Sequence, residues 1–282
     1  MGSVEPLLNV RKIVESRKGN VIVVVSALKG VTDLLIKTCS EAEKGDSSYL
    51  QSFMEICARH RDMTAELFPA GSETEKKTEA LLASLKTLCD GLYTSKLPAD
   101  RTAREIISYG ERLSSVIVNA LLDGSELFDS LEFIKTTWRS GKNILDAEKT
   151  ETLVVKAFSD FLERDCGVAI VPGFISTDSA NGEVTNLGRG GSDYTASIIA
   201  ASLGAATLEI WTDVDGFMTA DPRIIKTSYV IDELSFEEAM ELCNVGAKVI
   251  YSPALYPVYH KNIPVLVKNT FNPGARGTVI RQ

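Results

Sequence analysis

Histidine is scarce in this 282-residue chain: His60 and His260 are the only two, beside two tryptophans and five cysteines with no C-x-x-C pair. That scarcity argues against a zinc or copper centre, whose ligands come from histidine and closely spaced cysteine, and no protein-built metal site is expected. Cys39, Cys57, Cys89, Cys166 and Cys243 lie far apart. An odd, scattered set reads as reduced thiols of a cytoplasmic protein rather than a disulfide framework. His60 stands in a charged helical stretch and is expected on a solvated face. No apolar run approaches the roughly 20 residues of a membrane-spanning helix, and the N-terminus has no charged-then-apolar leader. Pro6 stands where a myristoylation signal takes Ser or Thr, which excludes that modification. Basic excess is missing as well: 30 Lys and Arg against 38 Asp and Glu give a net charge of −8. Neither nucleic acid nor an anionic membrane surface is therefore expected as a partner.

What is present is an ordinary globular composition, 44% hydrophobic and 24% charged, long enough for one large α/β domain or two intimate lobes. Apolar residues at helical spacing predict a helix over 4–17. Residues 20–25 form a continuous apolar strand of the kind buried on both faces in parallel sheets. A second helix is expected from Val31, then a long polar helical stretch over 41–90 with a turn at 69–71, then a helix over 102–122. Residues 131–134 and 168–171 read as strands. Residues 174–187 read as a hairpin turning at Asn181-Gly182, the preferred two-residue type I′ pair. A glycine-rich loop feeds a helix over 188–204, closed by a C′ glycine. Strands follow at 207–212 and 265–268, with a capping box of Ser235 and Glu238 opening the helix between them. Strands alternating with helices imply a mainly parallel sheet covered on both faces. The expected organisation is two lobes on one sheet, 1–165 and 166–282.

In such a sheet ligands bind beyond the C-terminal ends of the strands, where three loops draw notice. In Gly188-Arg189-Gly190-Gly191-Ser192-Asp193 the glycines permit close backbone approach, and the helix start favours an anion. Arg189, flanked by glycines, is suited to fork onto a carboxylate; the plainer reading is a flexible turn with a solvated Arg. In Thr212-Asp213-Val214-Asp215-Gly216 the polar groups suit a ribose or base edge, with Arg223 in reach of phosphate; an Asx turn is the alternative for Asp215. Ser26, Thr32 and Asp33 surround a strand-to-helix turn containing Gly30, where Thr32 could serve simply as a helix cap. Glu111 after Gly110, in mid-helix, reads as a solvated face unless context says otherwise. Lys248, after Gly246-Ala247, is similarly open. Convergence of the three loops on one crevice is the simplest expectation. No G-x-G-x-x-G follows the first strand, which disfavours a dinucleotide oxidoreductase.

Taken together these motifs resemble the aspartate kinases of the amino-acid kinase family over nearly the whole chain. Ser26-Ala27-x-x-Gly30-Val31-Thr32 is similar to the loop after that family's second strand. The run 108–114 resembles its substrate-side helix motif, and 187–196 its glycine-rich substrate loop. Trp211-Thr212-Asp213-Val214-x-Gly216 resembles its nucleotide loop, and Gly246-Ala247-Lys248-Val249 its later lysine motif. The ending over 268–273 is most like the enzymes in which aspartate kinase is fused to homoserine dehydrogenase. The resemblance implies an α/β fold, a three-layer αβα sandwich with a mainly parallel central sheet. It also implies ATP-dependent phosphorylation of the L-aspartate side chain, the first step toward lysine, threonine and methionine. Arg189 would clamp the α-carboxylate, with Gly190, Gly191, Ser192, Ser26, Thr32 and Glu111 around it and Glu111 facing the amino group. Asp193 and Lys248 would act at the transferring phosphoryl. Thr212, Asp213, Gly216, Met218, Arg223, Lys248 and Val249 would hold ATP, which brings Mg²⁺ with it. Met218 departs from the aromatic residue often found at its position. A homo-oligomer is implied for the full-length protein.

The resemblance also implies that the family's opening strand, with its Lys-Phe-Gly-Gly-Thr-Ser phosphate loop, does not precede Val4, and that regulatory domains do not follow. Impaired turnover is the corresponding expectation. Two rival readings are a kinase for another small acid, such as glutamate or acetylglutamate, and a ligand-binding fragment without turnover.

Overall fold

The computed structural model describes residues 2–96, 100–221 and 223–282. Helix α1 (Val4–Glu15) leads into strand β1 (Asn20–Val25), followed by α2 (Val31–Glu43), α3 (Tyr49–Leu67) and α4 (Glu73–Ser95). Ser72 ends the turn between α3 and α4. Its amide donates to the Pro69 carbonyl, and its hydroxyl caps α4 by accepting from the Glu75 amide. Helix α5 (Asp100–Leu121) buries one continuous face from Ile106 to Leu121. Next come β2 (Glu126–Leu127), α6 (Ser130–Phe133), β3 (Lys135–Arg139), β4 (Lys142–Leu145) and α7 (Ala147–Leu162). Strands β5 (Gly167–Pro172), β6 (Ile175–Asp178) and β7 (Val184–Asn186) precede helix α8 (Gly191–Leu203) and strand β8 (Leu208–Thr212). The chain closes with β9 (Glu233–Ser235), α9 (Phe236–Asn244), a 3₁₀ turn (Ser252–Leu255), α10 (Tyr256–His260), β10 (Val265–Asn269) and β11 (Thr278–Arg281).

The strands form three hydrogen-bonded sheets. In the first, β1 and β2 flank β5, all parallel, with Asn20 opposite Gly167 and Val25 opposite Pro172. β5 lies beyond residue 165, so the division expected there does not coincide with a division between sheets. The second has the order β8-β10-β11-β9, parallel except for the β10–β11 pair. The third, β4-β3-β6-β7, is mostly antiparallel. Among the described residues, β1 has no strand partner on the edge away from β5, and β8 has none on the edge away from β10. Helix α8 packs on both β1 and β8, and α5 packs on β1, β2 and β5. Helices therefore cover the sheets as the α/β class requires. No helix among the described residues is long and apolar enough to cross a membrane.

Four expectations are corrected. Residues 131–133 belong to α6 and Ile134 is its C-cap, because the Asp129 carboxylate accepts the Leu131 amide at 3.0 Å and caps a helical turn; the strand begins only at Lys135. The hairpin over 174–187 turns through 179–183, not through two residues. Asp178 Oδ1 there accepts the amides of Ala180 and Asn181, and Gly182 alone takes a positive φ. A strand, β11, follows the one expected to be last. His60 is fully buried rather than solvated: Nδ1 bonds the Ile56 carbonyl at 2.7 Å, and desolvation pushes its pKa down, so the ring is held neutral. The five cysteines are all unpaired, three of them buried.

Candidate active site

β1 delivers the chain to the loop at Ser26, and α5 fixes that loop from beneath. Gly110 allows the approach: a methyl group there would meet Ala27 Cβ at 2.9 Å. Its neighbour Glu111 is 4% exposed, and its Oε1 accepts the Ala27 amide at 3.2 Å. Ser114 Oγ, one helical turn on, donates to the Ser26 carbonyl at 2.8 Å. Glu111 Oε2 is buried with no hydrogen-bond partner. Desolvation pushes this carboxyl up to about 7, only partly opposed by the Ala27 amide. The solvated-face reading of Glu111 thus fails. The cap reading of Thr32 fails too, since Gly30 holds the N-cap of α2 and no side chain bonds there.

The glycine loop meets this one across a cavity of about 580 Å³. Ser26, Thr32, Glu111 and the whole run 189–193 line it, bringing together all eight residues expected around the amino acid and acceptor. Gly190 is the N-cap of α8 with φ 65°, so the first turn of α8 supplies Gly191, Ser192 and Asp193. Thr195 Oγ1 anchors the turn, donating to the Gly191 carbonyl at 2.8 Å and accepting the Phe174 amide at 3.0 Å. Arg189 is exposed on the rim and takes part in no ion pair among the described residues. Burial pushes Asp193 up to about 6. Sequence reasoning missed Lys29, Ile36, Ile107, Phe174 and Asn186 in the lining. Of these only Phe174, after Gly173 at a strand end, carried a local signal; it holds a left-handed φ of 66°, unusual for a bulky residue.

Residues expected at the nucleotide do not line this cavity. Thr212 ends β8 and Asp213 follows it, exposed and accepting at 3.4 Å from the Thr212 hydroxyl. Asp215 is occupied structurally: its Oδ1 accepts from Asn269 Nδ2 at 2.9 Å and from Asn272 Nδ2 at 3.3 Å. Gly216 packs on Thr278, and Met218 bridges Val230. Arg223 forks onto Asp221 at 2.7 and 3.0 Å, holding that carboxyl down at about 2. Lys248 is exposed and Val249 half-buried in the segment before the 3₁₀ turn. Among the described residues no group of three or more His, Cys, Asp or Glu could hold a metal ion.

A profile of the amino acid kinase family matches residues 3–269. The chain belongs to that family. It is 32% identical over 265 residues to the lysine-sensitive aspartokinase 3 of Escherichia coli, covering 92% of this chain and 57% of that protein. Against the aspartokinase of Chlamydia pneumoniae it is 36% identical over 265 residues, covering 91% and 55%. The crystal structure of E. coli aspartokinase III in complex with aspartate and ADP superposes with a TM-score of 0.89 at 29% identity, covering all of this chain and 63% of the other. The chain thus spans somewhat over half the length of these relatives. Within the amino acid kinase family, the glycine loop and the α5 motif are the parts that here meet in one cavity.

Proposed function

We propose that this chain carries the catalytic site of an aspartate kinase, which transfers the γ-phosphoryl of ATP to the side-chain carboxylate of L-aspartate and releases ADP and 4-phospho-L-aspartate. The reading rests most heavily on one pairing. Glu111 Oε2, buried and unpartnered, shares a single cavity with the unpaired guanidinium of Arg189. A buried carboxylate oxygen without a donor is costly until a ligand supplies one, and an amino acid's ammonium does so. The guanidinium answers its α-carboxylate with two parallel hydrogen bonds. Similarity to enzymes named aspartokinases, one of them seen with aspartate and ADP, supports the choice of acceptor and nucleotide.

The chemistry asks mainly for position and charge. The acceptor carboxylate is already anionic at neutral pH, so no general base is needed. One of its oxygens forms a bond to the γ-phosphorus as the bond from that phosphorus to the ADP oxygen breaks. Hydroxyls of Ser26, Thr32 and Ser192 orient the amino acid, and Asp193 stands beside the acceptor as an organising carboxylate. Lys248, exposed, offsets charge on the transferring group. Thr212, Asp213, Gly216, Met218, Arg223 and Val249 hold the nucleotide. Mg²⁺ would arrive with ATP and would offset the charge of its phosphates. A coupled ADP-release assay across an amino-acid panel tests the reading. Turnover with aspartate above that with glutamate and acetylglutamate is expected; preference for another acceptor overturns the assignment.

A further inference from the structure

Tyr251 does not line the cavity, yet it touches the loop that does. A methyl group on Gly190 would meet Tyr251 Cβ, and would lie 2.9 Å from both Cγ and Cδ1. The aromatic ring is therefore laid against the bare Cα of the glycine. Tyr251 itself is firmly seated. It caps the 3₁₀ turn Ser252–Leu255, its carbonyl accepts the Ala254 amide at 2.8 Å, and Ile250, Ser252, Ala254 and Leu255 around it are buried. That turn packs on α8.

Gly190 is the hinge of the site. Its left-handed φ of 65° makes it the N-cap of α8, its carbonyl accepts the Tyr194 amide at 2.9 Å, and Arg189 precedes it directly. Glycine takes this φ at no steric cost but brings no side chain of its own to hold it there. We infer that Tyr251 is a positioning residue for the amino-acid site: its ring props Gly190 and so fixes the direction in which Arg189 leaves the loop. The role depends on ring volume rather than on the phenol, since the contact is made by Cβ, Cγ and Cδ1. It rests on reading the cavity as an amino-acid site. Tyr251 is 40% exposed, so its loss opens no buried void in the core.

Calorimetry with L-aspartate on the wild type, Tyr251→Ala and Tyr251→Phe tests this, with an unhydrolysable ATP analogue as the second ligand. Displacing a reacting or clamping group by about 1 Å costs roughly a hundredfold, and a loop that sags by less than that predicts about tenfold weaker aspartate binding in Tyr251→Ala. Tyr251→Phe should bind within about twofold of wild type, and nucleotide affinity should be unchanged in both. Should the Ala variant fail to fold, Tyr251→Leu, which keeps Cβ and Cγ, carries the test with an intermediate loss. Unchanged aspartate affinity in Tyr251→Ala overturns the inference, as does an equal loss in Tyr251→Phe. Absence of any aspartate binding by the wild type overturns the amino-acid reading itself, which is a distinguishable result.

Discussion

Glu111 holds an ionisable group where the protein can scarcely solvate it, and this has consequences that pH reveals. Its carboxyl rises from an ordinary 4.5 to about 7 because burial penalises the anion. A raised folded-state pKa stabilises the empty protein fully below 4.5 and loses that contribution as pH climbs through 7. The shift corresponds to about 3 kcal/mol at 1.36 kcal/mol per unit. Urea titrations of the ligand-free chain should therefore show stability falling between pH 5 and pH 7.5, a fall that Glu111→Gln reduces to the part left by Asp193, whose carboxyl burial also raises to about 6. Aspartate binding should run the other way, tightening as pH rises through the same range while the anion forms. A parallel pH dependence in Glu111→Gln would assign the titration to another group. Arg189→Ala should weaken aspartate binding by about 2–4 kcal/mol, the scale of a lost charge-assisted bidentate contact, and leave nucleotide affinity nearly intact. Calorimetry with each ligand separates the two. Asp213→Ala should do the reverse, and equal weakening of both ligands would make Asp213 a turn residue instead.

Helix α5 does two jobs whose conflict is visible at Gly110. Glycine costs a helix interior about 1 kcal/mol relative to alanine, yet a methyl there would strike Ala27 Cβ at 2.9 Å. Gly110→Ala should thus destabilise despite the better helix former, by about 1–3 kcal/mol for overpacking, and should weaken aspartate binding by pushing the Ser26 loop off Glu111. A rise in melting temperature with unchanged affinity would show that the loop yields freely. The longer elements were legible in the sequence for local reasons. Apolar periodicity marked α1, the run Val21 to Val25 marked β1, and Ser235 with Glu238 marked α9, whose reciprocal caps both form. Shorter ones were not. Strands β3 and β4 are joined by Ser140 and Gly141, both at positive φ, without the Asn-Gly or Asp-Gly pair that signals such a turn. α6 exists because one carboxylate caps it, and β11 is fixed by tertiary pairing with β10 and β9.

Across the whole molecule, the glycine loop and the Ser26 loop were recognisable as chemistry because glycine, hydroxyl and lone-charge patterns have few structural uses. Their convergence follows from topology: β1 and α8 pack together, and α5 reaches the Ser26 loop from below. Glu111 could not be read from its own surroundings, since a buried acid and a solvated one look alike in a helical repeat; only the motif around it pointed inward. Tyr251 left even less trace, because it lies against Gly190, a glycine far away in sequence. The central claim is that one cavity presents a zwitterionic amino acid to ATP and makes an acyl phosphate. Trapping with hydroxylamine reads that product directly, since it converts an acyl phosphate to a stable hydroxamate. With Mg-ATP and L-aspartate, the account predicts β-aspartyl hydroxamate at a rate that collapses in Arg189→Ala. ADP release without hydroxamate, or hydroxamate formed equally well by the Arg189→Ala variant, would contradict it.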